Sequence, residues 1–226
     1  MIGDINLFPL MLSFKVAFTA TIFAFLIGIP IAYYLNKSNS RMADLVDTII
    51  TLPIVLPPTV LGYYLLVLLG RQSILGEFLE ETFDITIVFT PTGAVIAALI
   101  VSIPFLIKSA RSAFAGVDPT LLNAARVLGR SEFNIFITIV MPLAWRGVAA
   151  GITLAFARAL GDFGATLMVA GNIPNETMTM PIAIYDALLA GNRDMANILV
   201  MIMTAVSLSV LYIINRLEKK VSHRNR

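Results

Sequence analysis

Four long stretches of this sequence contain no charged side chain, and they limit the folds open to the chain more than any other feature. A helix that crosses the hydrocarbon core of a bilayer needs about 20 mostly apolar residues. The stretches that reach this length are Val16–Leu35, Thr48–Gly70, Ile85–Ile107 and Met195–Asn215. Apolar residues make up 58% of the 226 residues and charged residues 13%, about half the charged share typical of soluble domains. The sequence therefore predicts an all-α integral membrane protein.

A fifth span is predicted between the third and fourth stretches, although it carries charge. Residues 147–169 are apolar apart from Arg158 and Asp162, and we expect them to cross the membrane as one helix. The residues just before it, 133–143, are too few to cross and are interpreted as an interfacial helix. The chain, residues 1–226, is then one bundle of five transmembrane helices, with spans at about 10–35, 46–70, 86–108, 147–169 and 195–216.

Lysine and arginine residues lie mostly on one side of this five-span arrangement. Cytoplasmic loops of membrane proteins carry an excess of these residues. One side holds twelve of the sixteen, namely Lys37, Arg41, Lys108, Arg111, Arg126, Arg130, Arg146, Arg216, Lys219, Lys220, Arg224 and Arg226. The other side holds Arg71 and Arg193. The pattern predicts a multi-pass protein of the inner (cytoplasmic) cell membrane, with the N-terminus outside and the C-terminus in the cytoplasm.

Residues that the chain lacks exclude several kinds of chemistry. It has no cysteine and a single histidine, His223, so we expect no metal site and no catalytic residue. No Gly-Lys pair occurs, which excludes a phosphate-binding loop of the G-x-x-x-x-G-K-[ST] type. If the protein uses ATP, a separate subunit binds it. The basic tail from Arg216 is interpreted as the flank of the last span, not as a nucleic-acid surface. A secondary transporter or a channel is the main alternative on composition, and an intramembrane enzyme is a weaker one.

The predicted cytoplasmic segment Lys108–Arg146 has the pattern of a short, capped helix. Asp118 is a candidate N-cap and Pro119 suits the first helical position. Apolar residues then recur at helical spacing until Gly129, a residue type that commonly ends helices. The sequence predicts a helix at about 119–129. It either lies on the bilayer surface or docks onto a cytoplasmic partner.

The same segment resembles the cytoplasmic loop of binding-protein-dependent ABC importers, which has the pattern E-A-A-x3-G-x9-I-x-L-P. Asn123 stands where the family has glutamate, and Met141 stands where it has leucine. The resemblance implies that this helix seats in a cleft of a separate ATPase subunit. It assigns ATPase coupling to Asn123, Ala124, Ala125, Arg126, Gly129, Ile139 and Pro142.

A second stretch resembles the permeases of molybdate importers and, less closely, those of sulfate importers. The matching residues are Phe156–Thr166 and Ala170–Thr177, with Asp162 in place of the family's usual glutamate. The resemblance implies a permease that moves molybdate, or the similar anion tungstate, by alternating access. Sulfate is the alternative substrate. It also implies a homodimer, a cytoplasmic ATPase that binds ATP and Mg²⁺, and an extracytoplasmic binding protein. No cofactor is expected on this chain.

Arg158 and Asp162 lie four residues apart and therefore on one face of a helix. Because a single charge in hydrocarbon is costly, we expect the two to neutralise each other. They form either a structural ion pair or part of the translocation path or its gate, together with Gly164 and Thr166. Gly147 and Gly151 predict a close approach of a neighbouring helix.

Overall fold

The computed structural model describes residues 6–38 and 40–224, and over these residues the fold is all-helical, as expected. The side chains of residues 214, 215 and 217–224 are not described. The helices are α1 (Phe8–Lys37), α2 (Arg41–Val55), α3 (Pro58–Leu69), α4 (Ile74–Phe83), α5 (Pro91–Ala115), α6 (Pro119–Val127), α7 (Glu132–Ile135), α8 (Met141–Leu160), α9 (Gly164–Ala170), α10 (Met180–Leu189) and α11 (Arg193–Arg224). A π-helical segment, Phe136–Val140, joins α7 to α8.

Four helical segments of the described chain are long and apolar enough to cross a membrane. They are α1, α5, the continuous run Glu132–Leu160 and the first part of α11, Arg193–Ile213. The bent pair formed by α2 and α3 is a fifth candidate if it counts as one span. The third span begins at Pro91, later than the predicted residue 86, because the hydroxyl of Thr90 caps the helix by accepting from Gly93 N–H.

The span predicted at 46–70 is not one straight helix, because the chain bends by 118° between α2 and α3. The break falls at Leu56 and Pro57, which are both extended in ψ, at 139° and 136°. Proline lacks the N–H that a continuing helix would need and disfavours helical geometry in the residue before it. Two consecutive prolines, Pro57 and Pro58, therefore end one helix and start another.

The bent pair nevertheless carries the chain from one end of the bundle to the other. In the first half of α2, Asp47 forms ion pairs with Lys108 and Arg111 in the last part of α5. Ahead of the start of α5, Phe89 N–H donates to the carbonyl of Val169 in α9, against which α3 packs. Since α5 runs between these two ends, α2 and α3 together must cross the same distance.

The span predicted at 147–169 is wrong at both ends, and the interfacial helix at 133–143 is not separate. The helix runs without interruption from Glu132 to Leu160. Pro142 does not break it, because the turn before the proline widens, with Met141 N–H donating to the carbonyl of Phe136. Such a π turn accommodates the missing donor and the bulk of a proline ring. Past Leu160 the chain breaks at Gly161 and restarts as α9.

The centre of the bundle is formed by α1, α5 and α8, which pack along their lengths. The predicted close approach at the small residues of α8 is confirmed. A Cβ on Gly147 would lie 2.5 Å from Cβ of Ala113, and one on Gly151 would lie 2.9 Å from Cβ of Ser109. The hydroxyl of Ser109 donates to the carbonyl of Gly147 at 2.8 Å. Glycine at these positions lets the backbones of α5 and α8 come together.

The two ends of the bundle differ in charge. The end that carries α6 includes Lys37, Lys108, Arg111 and Arg126, all of which form ion pairs there. We refer to it as the α6 end. Arg193 begins α11 at the opposite end, where α10 packs beside it. This separation agrees with the predicted sidedness, although Arg226 lies outside the described residues. The orientation of the bundle in the membrane stays a prediction.

Candidate functional site

The α6 helix is fixed at both ends by its own residues. The carboxylate of Asp118 accepts from the backbone N–H of Thr120 at 2.8 Å, and this hydrogen bond lowers the pKa of Asp118 below its usual value. Gly129 has φ +76°, the left-handed conformation that favours glycine. Arg130 N–H donates to the carbonyl of Ala125, and Gly129 N–H to that of Arg126, which together form a Schellman motif. The helix therefore ends at Val127, two residues before the predicted boundary.

One face of α6 packs on the bundle, and another is largely exposed. Ala125 is buried in the same apolar cluster as Phe114 and Ile135. Its small side chain therefore fits this chain's own core, and the expectation that it lies in a partner's cleft is not met. Val127 and Leu128 are 88% and 82% exposed, and Ala124 is exposed as well. The free apolar surface at the C-terminal end of α6 is formed by Ala124, Val127 and Leu128.

Asn123 and Arg126 belong to a polar network that leaves α6 and reaches α7 and α1. Arg126 Nη1 donates to the amide oxygen of Asn123 at 2.9 Å, and Arg126 Nε donates to Glu132 Oε1 at 2.7 Å. The hydrogen bond with Glu132 raises the pKa of Arg126 above its usual value. Lys37 Nζ pairs with Glu132 Oε2. Asn123 therefore accepts a hydrogen bond from a neighbour in the position where the family has a carboxylate.

The last two residues assigned to coupling lie beyond α6. Ile139 is in the π-helical segment and packs against the buried cluster that also contains Ala125. Pro142 is exposed at the second position of α8. These two residues shape the helix that follows α6, and Pro142 accounts for its π turn. The structure thus places five of the seven residues on α6 or its terminal turn, and two in the next helix.

The break after α8 is built around Asp162. Its Oδ1 accepts from Arg158 Nη1 at 3.2 Å. Its Oδ2 accepts from the hydroxyl of Thr166 at 2.8 Å and from the backbone N–H of Thr166 at 3.0 Å. The carboxylate thus closes the first turn of α9 while it neutralises the last arginine of α8. The predicted Arg158–Asp162 pair is present, but Asp162 lies between two helices and not inside one.

Gly164, which was also assigned to the translocation path, lies where α9 packs against α3. A Cβ added to Gly164 would lie 3.1 Å from Cβ of Pro58 and 3.3 Å from the backbone nitrogen of Thr59. Asp162, Gly164 and Thr166 are buried in this structure, whereas the Arg158 side chain keeps 26% of its surface exposed. Of the four residues assigned to the path, only Arg158 can meet a solute in this conformation.

Sequence reasoning missed the charged partners at the α6 end. Glu132 binds two cations, and Asp47 binds Lys108 at 2.8 Å and Arg111 at 3.0 Å. The local signal for Glu132 was its place after Ser131, whose hydroxyl accepts from Asn134 N–H and caps α7. Nothing local indicated that Lys37, 95 residues earlier, would meet it. Over the described residues, no group of three or more acidic or histidine side chains is arranged to hold a metal ion.

Residues 11–223 match the family described as the binding-protein-dependent transport system inner membrane component. The chain belongs to this family. Members are membrane subunits and not enzymes, so the assignment of ATP hydrolysis to a separate subunit is confirmed. Family membership also confirms the expected place in the inner membrane and disfavours a channel or a secondary transporter.

Curated relatives match between 77% and 95% of the chain. A putative molybdenum transport system permease of Bacillus subtilis, YvgM, is 40% identical over 95% of this chain and 93% of its own length. The molybdenum transport system permease ModB of Escherichia coli K12 is 45% identical over 77% of this chain and 76% of its own. A probable sulfate transport system permease of Prototheca wickerhamii is 29% identical over 94% of this chain and 83% of its own.

Solved structures share the fold. The MetNI methionine ABC transporter, in an inward-facing conformation, matches with a TM-score of 0.76 over 98% of this chain and 99% of the other, at 16% identity. A bacterial ABC transporter that imports alginate matches with a TM-score of 0.73 over 93% of this chain and 79% of the other, at 17% identity. At such identities the likeness concerns the fold alone.

Proposed function

We propose that this chain is the permease subunit of an ATP-driven molybdate importer. The observation that carries the substrate assignment is the 40% identity with a putative molybdenum permease over 95% of the chain. The sulfate permease reaches 29% over a similar share, which favours molybdate. Tungstate, which has the same charge and a similar size, is expected to follow the same path.

The proposed mechanism is alternating access driven through α6. A cytoplasmic ATPase binds ATP and Mg²⁺ and holds the free surface of α6, formed by Ala124, Val127 and Leu128. Support comes from the exposure of two large apolar side chains, Val127 and Leu128, at the C-terminal end of a helix whose two ends are capped. Exposed apolar clusters in soluble regions commonly mark protein contacts. The alternative, a helix that rests on lipid, does not explain why α6 continues into an ionic network with α7 and α1.

The assembly that we propose has two copies of this chain, two copies of the ATPase and one extracytoplasmic molybdate-binding protein. The N-terminus and the end with α9 and α10 face outward, and the α6 end faces the cytoplasm. The concentration of lysine and arginine at the α6 end supports this orientation. ATP closes the ATPase dimer, the two α6 helices approach each other, and the bundle opens outward. Hydrolysis resets it.

The residues around the break after α8 have two different proposed roles. Asp162, Gly164 and Thr166 hold α9 in place against α3, a reading supported by their burial and hydrogen bonds. Arg158 is the one proposed to meet the passing anion, because its side chain keeps exposed surface while the neighbouring Asp162 offsets its charge. A partly neutralised cation attracts an oxyanion without holding it tightly, which transport requires.

The test is uptake by the complete complex in liposomes. We expect molybdate to accumulate only when ATP is inside and the binding protein outside. Excess tungstate should compete, whereas excess sulfate should compete weakly. Uptake of sulfate in preference to molybdate would reassign the substrate. Uptake without ATP would contradict the proposed class.

A further inference from the structure

Glu132 lies where three helices meet at the α6 end. It is the first residue of α7. Its Oε1 accepts from Arg126 of α6 at 2.7 Å, and its Oε2 pairs with Lys37, the last residue of α1. One carboxylate therefore connects α6 with α1, which the chain itself separates by more than 80 residues.

An aromatic contact runs parallel to this ionic one. Lys37 Nζ lies 4.5 Å from the ring centroid of Tyr33, within range of a cation–π interaction. The Tyr33 ring packs on Phe136, the first residue of the π-helical segment, at a centroid distance of 4.5 Å, and Phe114 meets both rings at 5.9 Å. The end of α1 thus contacts the helix that follows α6 through a charged and an apolar layer.

The ionic layer is poorly suited to a purely stabilising role. The side chains of Lys37, Arg126 and Glu132 are 35%, 42% and 50% exposed. Ion pairs exposed to this degree contribute little to the stability of a fold. The buried cluster around Phe114 and Ile135 already holds this end of the bundle together. The ionic contacts instead join α6, α7 and α1 directly.

We propose that Glu132 is a positioning residue that transmits the displacement of α6 to α1. The proposal rests on the coupling role assigned to α6 above. Helix α1 then carries the motion across the bundle, because it extends without interruption from Lys37 back to Phe8. At its other end the hydroxyl of Ser13 accepts from the backbone N–H of Met180 at 2.8 Å, which ties α1 to the start of α10. Motion of α6 thereby reaches the opposite end of the bundle.

The test compares hydrolysis with transport in the complete complex. Glu132→Gln and Lys37→Met each remove one side of the contact, and the double variant removes both. Asp44→Asn is the matched control, because Asp44 is exposed at the same end and forms no ion pair with any described residue. The readouts are the amount of ATPase that co-purifies, the ATP hydrolysed, and the molybdate taken up per ATP.

We expect both single variants to keep the ATPase and to hydrolyse ATP, while molybdate uptake per ATP falls about five-fold. Molybdate uptake per ATP in the double variant should be no lower than in either single variant, because both substitutions interrupt the same contact. The control should match the wild type. A merely structural role would lower assembly and hydrolysis together and leave the ratio unchanged.

Three results would overturn the proposal. They are an unchanged ratio in both variants, additive losses in the double variant, or loss of the ATPase from both single variants. If Glu132→Gln does not assemble, the ratio measured for Lys37→Met decides: a fall supports the proposal, and an unchanged ratio overturns it. A wild-type complex that takes up no molybdate refutes the proposed function, and this inference with it. A wild-type complex that works, with variants that match it, overturns only the role of Glu132.

Discussion

The carboxylate of Asp162 accepts a hydrogen bond from the hydroxyl of Thr166 at 2.8 Å, and this contact fixes the start of α9 to the end of α8. The same carboxylate also accepts from the backbone of Thr166 and pairs with Arg158. A buried charge is tolerated only when it is paired and hydrogen-bonded. Asp162 is both paired and hydrogen-bonded, which explains how an acidic side chain can lie inside an apolar bundle.

Substitution of Asp162 should therefore lower the stability of the fold more than substitution of Thr166. We expect Asp162→Ala to lower the free energy of unfolding by about 3 kcal/mol, because it leaves a cation and two donors without their acceptor. Thr166→Val, which removes only the hydroxyl, should cost about 1 kcal/mol. Unfolding of the purified protein in detergent measures both. Equal stability of Asp162→Ala and the wild type would contradict this assignment.

A paired substitution separates the structural role of this site from transport. Arg158→Met combined with Asp162→Asn removes both charges and keeps an oxygen acceptor for Thr166, so we expect near-normal stability. If Arg158 meets the anion, this folded variant should take up molybdate more slowly by about ten-fold. Uptake at the wild-type rate would remove Arg158 from the path.

The contact between α3 and α9 predicts a strong effect from one added methyl group. A Cβ on Gly62 would lie 2.7 Å from Cβ of Met168 and 3.0 Å from Cα of Ala165. Gly62→Ala should cost about 1–3 kcal/mol because neither helix can yield without moving its backbone. Gly116→Ala is the control, since its Cβ would approach nothing closer than 3.5 Å. Thermal unfolding should give a lower melting temperature for Gly62→Ala than for Gly116→Ala. Similar melting temperatures would argue against this packing.

Sidedness is open to direct labelling, because the natural chain has no cysteine. A cysteine in place of Asn123 should react only from the cytoplasmic side. Cysteines in place of Glu80 or Asn175, which lie toward the opposite end, should react only from outside. Membrane-impermeant maleimide applied to right-side-out and inverted vesicles makes the distinction. Reaction of position 123 from outside would invert the proposed orientation.

The sequence was sufficient for features that depend on neighbouring residues. Asp118 and Pro119 mark the start of α6, and Gly129 its end, because caps and left-handed turns are formed within a few residues. Gly147 and Gly151 indicated a helix crossing for a similar reason. The structure confirms each of these predictions.

Features that depend on distant contacts could not be predicted in the same way. Proline commonly ends a helix, yet the helix continues through Pro142 with only a π turn. That turn lies beside the packed cluster of Ile135 and Val140, whose other members come from distant parts of the chain. The ion pair of Glu132 with Lys37 likewise could not be predicted, because the two residues are 95 positions apart in the sequence.

Binding of a separate ATPase to the free surface of α6 can be measured by co-purification. Val127→Glu and Leu128→Glu each place a carboxylate on that surface. Ile74→Glu is the matched control, because Ile74 is 89% exposed on α4, away from the α6 end. A tagged permease should retain about ten-fold less ATPase when it carries either α6 substitution, while the control retains the wild-type amount. Full ATPase retention by both α6 variants would show that the ATPase does not bind this surface.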